Sequence, residues 1–136
     1  MSQENLELVV RAIQAALKRP KPDFETVNAL HHPDHVLVSL AANTLGEGEA
    51  KGAEGYKTWL QLTDDAVSWE GELRGAVDIG PDKVLVVTQT RFKGASSGVE
   101  TEERTWVVVT VTEGKITRTD VYNNPIQALE AAGLSE

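Results

Sequence analysis

No cysteine occurs among the 136 residues. Disulfide staples and thiolate metal sites are therefore excluded, and thiols say nothing of redox compartment. Basic residues are scarce: 13 Lys and Arg stand against 21 Asp and Glu, for a formal net charge of −8. That imbalance repels nucleic acid and anionic lipid surfaces. Lys18, Arg19 and Lys21 fall at the end of the first helical stretch, where cations suit the helix dipole, and do not form a patch that would override it. No apolar segment is long enough to span a bilayer. The opening MSQENLELVV is polar and acidic, without the basic stretch and apolar run of a secretion signal. A cytoplasmic protein with no nucleic-acid or membrane partner is expected. No Ser/His/Asp set has usable spacing, and GEGEAKG has glycines but does not lead from a buried strand into a helix with the lysine and hydroxyl of a phosphate loop. No cofactor is expected, and the partner is a small molecule or another protein chain.

The length fits one domain spanning residues 1–136. A chain this size buries roughly two-thirds of its extended surface, enough for a core without staples. Ser2 is a suitable N-cap for a helix carrying Leu6, Val9, Val10, Ile13 and Leu17 at helical spacing, ended by Pro20 and Pro22. Asp23 can cap a second helix with Phe24, Val27 and Leu30, which Pro33 should stop. Val36, Val38 and Leu40 alternate as a short strand. The glycine-rich stretch 41–55 reads as a loop and candidate flap, before a third helix with Tyr56, Trp59, Leu60 and Thr63 on one face. Four strands follow, from about Val67 to Ile79, Val84 to Lys93, Val99 to Thr112 and Lys115 to Tyr122. Gly80-Pro81-Asp82 and Glu113-Gly114 supply turns. Asn124 and Pro125 open a terminal helix carrying Ile126 and Leu129. Helices first and a strand meander after, with no alternation of the two, give an α+β layout in which helices cover one sheet face.

Alternate strand residues point to opposite faces. Val84, Val86, Thr88, Thr90 and Phe92 share one face with Glu103, Thr105, Val107, Val109, Thr117, Thr119 and Val121. This small, apolar, threonine-rich face is expected to lie inward. The other carries Arg91, Arg104, Arg118, Glu102 and Asp120, with Trp106, Tyr122 and Ile116. It can be a solvated surface of cross-strand ion pairs. Continuous apolar runs at Val84–Val87 and Trp106–Val109 imply cover on both faces there, and aromatics beside arginines suit an interface. A homodimer through Arg91, Arg104, Trp106, Arg118, Asp120 and Tyr122 is the expectation.

Four segments carry a family resemblance: SQENLELVVRAIQAAL, HPDHVLV, GPDKVLVVTQTRFKG and the closing EGKITRTDVYNNPIQALEAAGL. In their order and spacing the chain resembles a SnoaL-like protein of the nuclear transport factor 2-like superfamily over nearly its whole length. The resemblance implies a cone: a strongly curved antiparallel sheet wrapped around three N-terminal helices, with a short C-terminal helix, a pocket inside, and usually a dimer. Relatives on that fold include steroid isomerases, polyketide cyclases, dehydratases, epoxide hydrolases and non-catalytic proteins, so function has to be argued from residues. Ile13 stands where many relatives have a helix tyrosine, Val107 where many have a strand histidine, and Val121 about where the polyketide cyclases have an aspartate. Aliphatic side chains transfer no protons. A register slip of one residue would bring Asp120 inward instead.

Each remaining candidate has two readings. Glu103 can be a pocket base or a rim carboxylate. Asp34, near the first strand where steroid isomerases keep an aspartate, can be a base or a turn cap. His31, His32, Asp34 and His35 form HHPDH, which has metal-binding residue types but matches no standard site, so no metal is expected. Tyr56 and Trp59 can stack on a ligand or fill the core. The expected pocket is lined by Ile13, Tyr56, Trp59, Thr88, Thr90, Thr105, Val107, Thr119 and Val121, whose hydroxyls can orient a polar ligand atom. The expected function is the binding of an apolar small molecule. The alternatives are a cofactor-independent isomerase, cyclase or hydratase using a pocket carboxylate, and a dimeric interaction module.

Overall fold

The computed structural model describes residues 2–18, 22–39, 49–51, 67–94, 100–122 and 124–131. Helix α1 (Ser2–Ala16) follows from its apolar spacing. Val9 and Ala12 are buried, and Leu6, Leu8 and Ile13 pack beside them on the same cluster. The Asn5 side-chain amide donates to the Pro81 carbonyl at 3.2 Å, fastening the start of α1 to the turn between two strands. Asp23 caps α2 (Phe24–Leu30): its carboxylate accepts the Thr26 amide at 3.2 Å and the Thr26 hydroxyl at 2.7 Å. The hydroxyl and amide together hold its carboxyl below the usual carboxylate range.

Helix α2 passes straight into β1 (His31–Ser39), earlier than Pro33 suggests. His31 pairs with Ile116 and Val36 with Arg118, so residues 32–35 bulge out of the pairing. Proline is tolerated there because its missing N–H removes no ladder bond. The remaining strands are β2 (Glu49–Lys51), β3 (Val67–Asp78), β4 (Lys83–Gly94), β5 (Glu100–Thr112) and β6 (Lys115–Tyr122). Helix α3 (Pro125–Ala131) closes the described chain. The Asn124 side-chain oxygen caps it, accepting the Ile126 amide at 2.8 Å and the Gln127 amide at 3.3 Å. It packs on β5 and β6 through Ala128, which is fully buried, whereas Ile126, expected to pack, is 65% exposed.

The α+β class stands, but the wrapped antiparallel cone does not. The six strands form one open, mixed sheet in the order β2-β1-β6-β5-β4-β3, with β1 parallel to β6 and the other neighbours antiparallel. The sheet is neither closed nor strongly curled. Two described helices precede the meander and one follows it; the helix expected around Tyr56 and Trp59 lies outside the described residues. Alternating apolar residues look the same for a strand run in either direction, so the pattern could not reveal that β1 joins parallel.

The core lies where α1 meets β4, β5 and β6. Val9 and Ala12 pack with Val84, Val86, Val107, Val109, Val111 and Ile116. Cross-strand partners share a face, and the pairs Val84↔Val109, Val86↔Val107 and Thr88↔Thr105 assign the valine and threonine side to the helices. One exception comes from a bulge. Thr110 pairs with Arg118 but Val111 pairs with Ile116, leaving Thr117 as an extra residue. The Thr117 hydroxyl donates to the Thr110 carbonyl at 3.4 Å. The bulge turns Ile116 into the core, against the expectation from simple alternation. The hairpin just before it has both turn residues at positive φ, 51° at Glu113 and 78° at Gly114, the twist that two-residue hairpins prefer.

This register can be tested by two neighbouring truncations. Ile116→Ala should cost roughly 2–5 kcal/mol in urea denaturation, as for other buried aliphatics. Thr117→Ala should cost less than about 1 kcal/mol. The reverse ranking would mean that the bulge is wrong.

Candidate functional site

The helix-facing side of β4 and β5 grades from packed to open. The rows Val84–Val109 and Val86–Val107 are buried. In the next row Thr88 is 6% exposed and Thr105 half-buried, and their hydroxyls are 2.5 Å apart. In the row after that Thr90 is half-buried and Glu103 exposed. On β6, Thr119 is buried beside Val109, and Val121 is half-buried beside Val107. Ile13 reaches the same cluster from α1. The structure thus brings together Ile13, Thr88, Thr90, Thr105, Val107, Thr119 and Val121 on one side of the sheet. Val107 belongs to the packed core. Tyr56 and Trp59 lie outside the described residues.

The two carboxylates considered as bases are not brought together. Glu103 is exposed on β5, and Asp34 is exposed in the β1 bulge, with β6 between those strands. The Asp34 backbone N–H donates to His32 Nδ1 at 3.0 Å, so in this turn the side-chain cap is the histidine. Asp120 pairs with Val38 and Val108 on the opposite side of the sheet from the core, where Arg118 Nε donates to both its oxygens at 2.9 and 3.1 Å. The slip that would bring it inward does not occur.

Two histidines of HHPDH turn into the protein instead of outward. His31 is 6% and His35 1% exposed, and their rings lie 4.4 Å apart. Nδ1 of His31 donates to the Val27 carbonyl at 2.7 Å, and Nδ1 of His35 to the His32 carbonyl at 2.9 Å. A carbonyl only accepts, so each Nδ1 carries the proton. Burial lowers the His31 pKa to about 4, against the opposing bond to Val27, with a smaller repulsion from His35. Burial also lowers that of His35. Among the described residues no group of three His, Asp or Glu side chains could hold a metal ion. Nothing in the sequence pattern signalled the stacked pair.

The opposite face carries all six residues expected at an interface. Trp106 and Tyr122 are cross-strand neighbours, both half-buried. Burial, then the Asp120 charge, raises the tyrosine pKa. Arg91 pairs with Glu102 at 3.4 Å, and Arg104 donates to Gln89 at 3.0 Å. Glu70, Glu72 and Arg74 of β3 extend this charged end into an open polar cleft of about 300 Å³. The rest of the face is mixed: beside the Arg118–Asp120 pair, Val108 is buried, Leu85 and Val87 are half-buried, and Val77 is 57% exposed.

No protein-family model matches the chain, and no curated protein matches it in sequence. Solved structures do. TerC co-crystallised with polyporic acid superposes with a TM-score of 0.75 at 19% identity, covering 96% of this chain and 98% of that one. The chain has the nuclear transport factor 2-like fold. A protein described by that fold and of unknown function, from Burkholderia pseudomallei, gives a TM-score of 0.76 at 13% identity, covering 93% and 95% of the two chains. A putative SnoaL-like polyketide cyclase from Jannaschia sp. gives 0.72 at 12% identity, covering 96% and 91%. Identities this low carry the fold and no activity. No described helix is long and apolar enough to cross a membrane.

The histidine pair makes stability fall in acid. His31 titrates near 6.5 when unfolded and about 4 when folded, so the unfolded chain binds the proton first. Its contribution is intact above about pH 6.5 and is lost progressively down to about pH 4, by up to roughly 3 kcal/mol. Urea denaturation across that window should show His31→Gln with a flatter pH dependence than the parent chain. An identical slope in both would contradict the buried neutral ring.

Proposed function

We propose that the chain is a SnoaL-like protein, one domain over residues 1–136, that binds an apolar small molecule against the helix-covered side of its sheet without turning it over. The observation that carries this reading is the character of that side. Across β3 to β6, the ionisable side chains in register with it are Glu103 and Asp78, both exposed, and the wall between them is valine and threonine with Leu73, Ala76 and Ile116 among the described residues. Proton-transfer catalysis needs an ionisable group near the reacting atom, whereas a binder needs only shape, apolar surface and a few oriented polar groups. The fold neighbour TerC, crystallised with polyporic acid, supports a ligand-holding use of this architecture. The acidic balance of the sequence, with no cationic patch, supports a protein with no nucleic-acid partner.

A fluorescence titration with N-phenylnaphthylamine tests the reading. Saturable binding at one equivalent per chain is expected, weakened at least about tenfold by Val121→Trp, which fills the half-buried position beside Val107. Glu103→Gln should leave affinity unchanged. Absence of saturable binding, or loss of it in Glu103→Gln, would contradict the proposal.

We also propose a homodimer through the opposite face. Half-buried Trp106 and Tyr122, exposed Val77 and the alternating charges of Arg91, Glu102 and Arg104 support a self-complementary surface. Sedimentation should give a dimer at micromolar concentration and a monomer for Trp106→Glu. A monomeric parent chain would end this proposal without touching the first.

A further inference from the structure

We propose that the Thr88–Thr105 hydroxyl pair is the polar anchor of the pocket, and that the ligand it takes is an uncharged apolar molecule bearing a carbonyl or hydroxyl oxygen. This inference rests on the binding reading above and names the class of ligand.

The pair stands at a boundary. On one side of it the rows Val84–Val109 and Val86–Val107 are closed by α1. On the other side the row Thr90–Glu103 opens toward solvent. Thr88 is 6% exposed and Thr105 half-buried, so on β4 and β5 the pair is the last polar group before the packed valine rows. A ligand lying along this wall would meet these two oxygens before the closed valine rows, with half-buried Val121 on the neighbouring strand as apolar contact.

Two hydroxyls have two protons between them, and their mutual bond at 2.5 Å uses one. The described residues supply no second acceptor for the other proton. A ligand oxygen that accepts this proton completes the pair, and a ligand hydroxyl can in addition donate to a free lone pair. A ligand without oxygen leaves a donor unsatisfied in an apolar wall, which has a cost.

Charge then sets the class. The ionisable groups in register with this side of β3 to β6 are Glu103 and Asp78, both negative. Arg11 of α1 is exposed, and Arg91, Arg104 and Arg118 belong to the opposite face. Among the described residues a ligand carboxylate would find no countercharge here and would lose its hydration uncompensated. A neutral oxygen has no such requirement.

Three naphthalenes substituted at the same ring position separate these terms: acetonaphthone, isopropylnaphthalene and naphthoate. Each is titrated by competition against N-phenylnaphthylamine on the parent chain, on Thr105→Val and on Thr88→Val/Thr105→Val, with Thr105→Ser as the variant that keeps the hydroxyl. Acetonaphthone should bind about tenfold more tightly than isopropylnaphthalene, the worth of one good hydrogen bond, and naphthoate at least tenfold more weakly than acetonaphthone. The preference for the ketone should vanish in Thr88→Val/Thr105→Val, persist in Thr105→Ser, and survive at least in part in Thr105→Val, where the Thr88 hydroxyl keeps its proton. The infrared carbonyl band of bound acetonaphthone should move to lower frequency on the parent chain and not on Thr88→Val/Thr105→Val. Valine keeps the shape and strand preference of threonine, and retained N-phenylnaphthylamine binding reports an intact pocket. An unchanged ketone preference in Thr88→Val/Thr105→Val, or naphthoate binding as well as the ketone, would overturn the anchor while leaving the binding reading in place. Failure of N-phenylnaphthylamine itself to bind the parent chain would remove both.

Discussion

Everything else in this molecule depends on one helix lying across one face of a sheet. The stripe of α1 that holds Val9 and Ala12 meets the valine rows of β4 and β5, and Ile116 completes the contact from β6. Close approach requires small side chains on the helix and short branched ones on the strands, and both are present. That contact decides which side of the sheet is inside. Because cross-strand partners share a face, it also decides where every threonine, arginine and aromatic residue of the meander goes.

The two faces that result have opposite chemistry. The helix-covered face is apolar with a hydroxyl pair at its open end, which suits a ligand held by shape and one or two hydrogen bonds. The other face combines arginine and glutamate pairs at one end with Trp106, Tyr122, Leu85 and Val87, which suits a second protein surface. The stacked histidines lie at the β1 margin of the helix-covered side, His31 in register with Ile116. They close the junction where α2 runs into β1 and brace the bulge at residues 32–35 from inside, using backbone carbonyls as acceptors. Asp34, displayed on that bulge, is therefore held out in solvent, away from the sheet's interior.

Much of this was legible in the sequence. Period-two alternation in Val84–Phe92 and Thr101–Val111 assigned faces that the strand register reproduces, and Asp23 and Asn124 were readable as helix caps. Three features were not legible, each for a physical reason. Strand direction leaves no trace in alternation, so the parallel β1–β6 pairing was hidden. A single extra residue at Thr117 inverts Ile116, and no local composition marks it apart from the turn before it. Sheet curvature was an expectation carried by family resemblance, and the open mixed sheet does not share it. For the site, Glu103 and Asp34 could be named as carboxylates, but their exposure is set by where strand ends and bulges fall. Burial of the neutral pair His31 and His35 is likewise a tertiary property, invisible in HHPDH.

The helix-covered face is the proposed ligand face. Methyl-labelled NMR during titration with N-phenylnaphthylamine tests it most directly, because valines and threonines mark both sides of the sheet. Thr88, Thr105 and Val121 methyls should shift and saturate together while Val77, Leu85 and Val87 stay in place. Saturating shifts confined to Val77, Leu85 and Val87, with the first group unmoved, would contradict it.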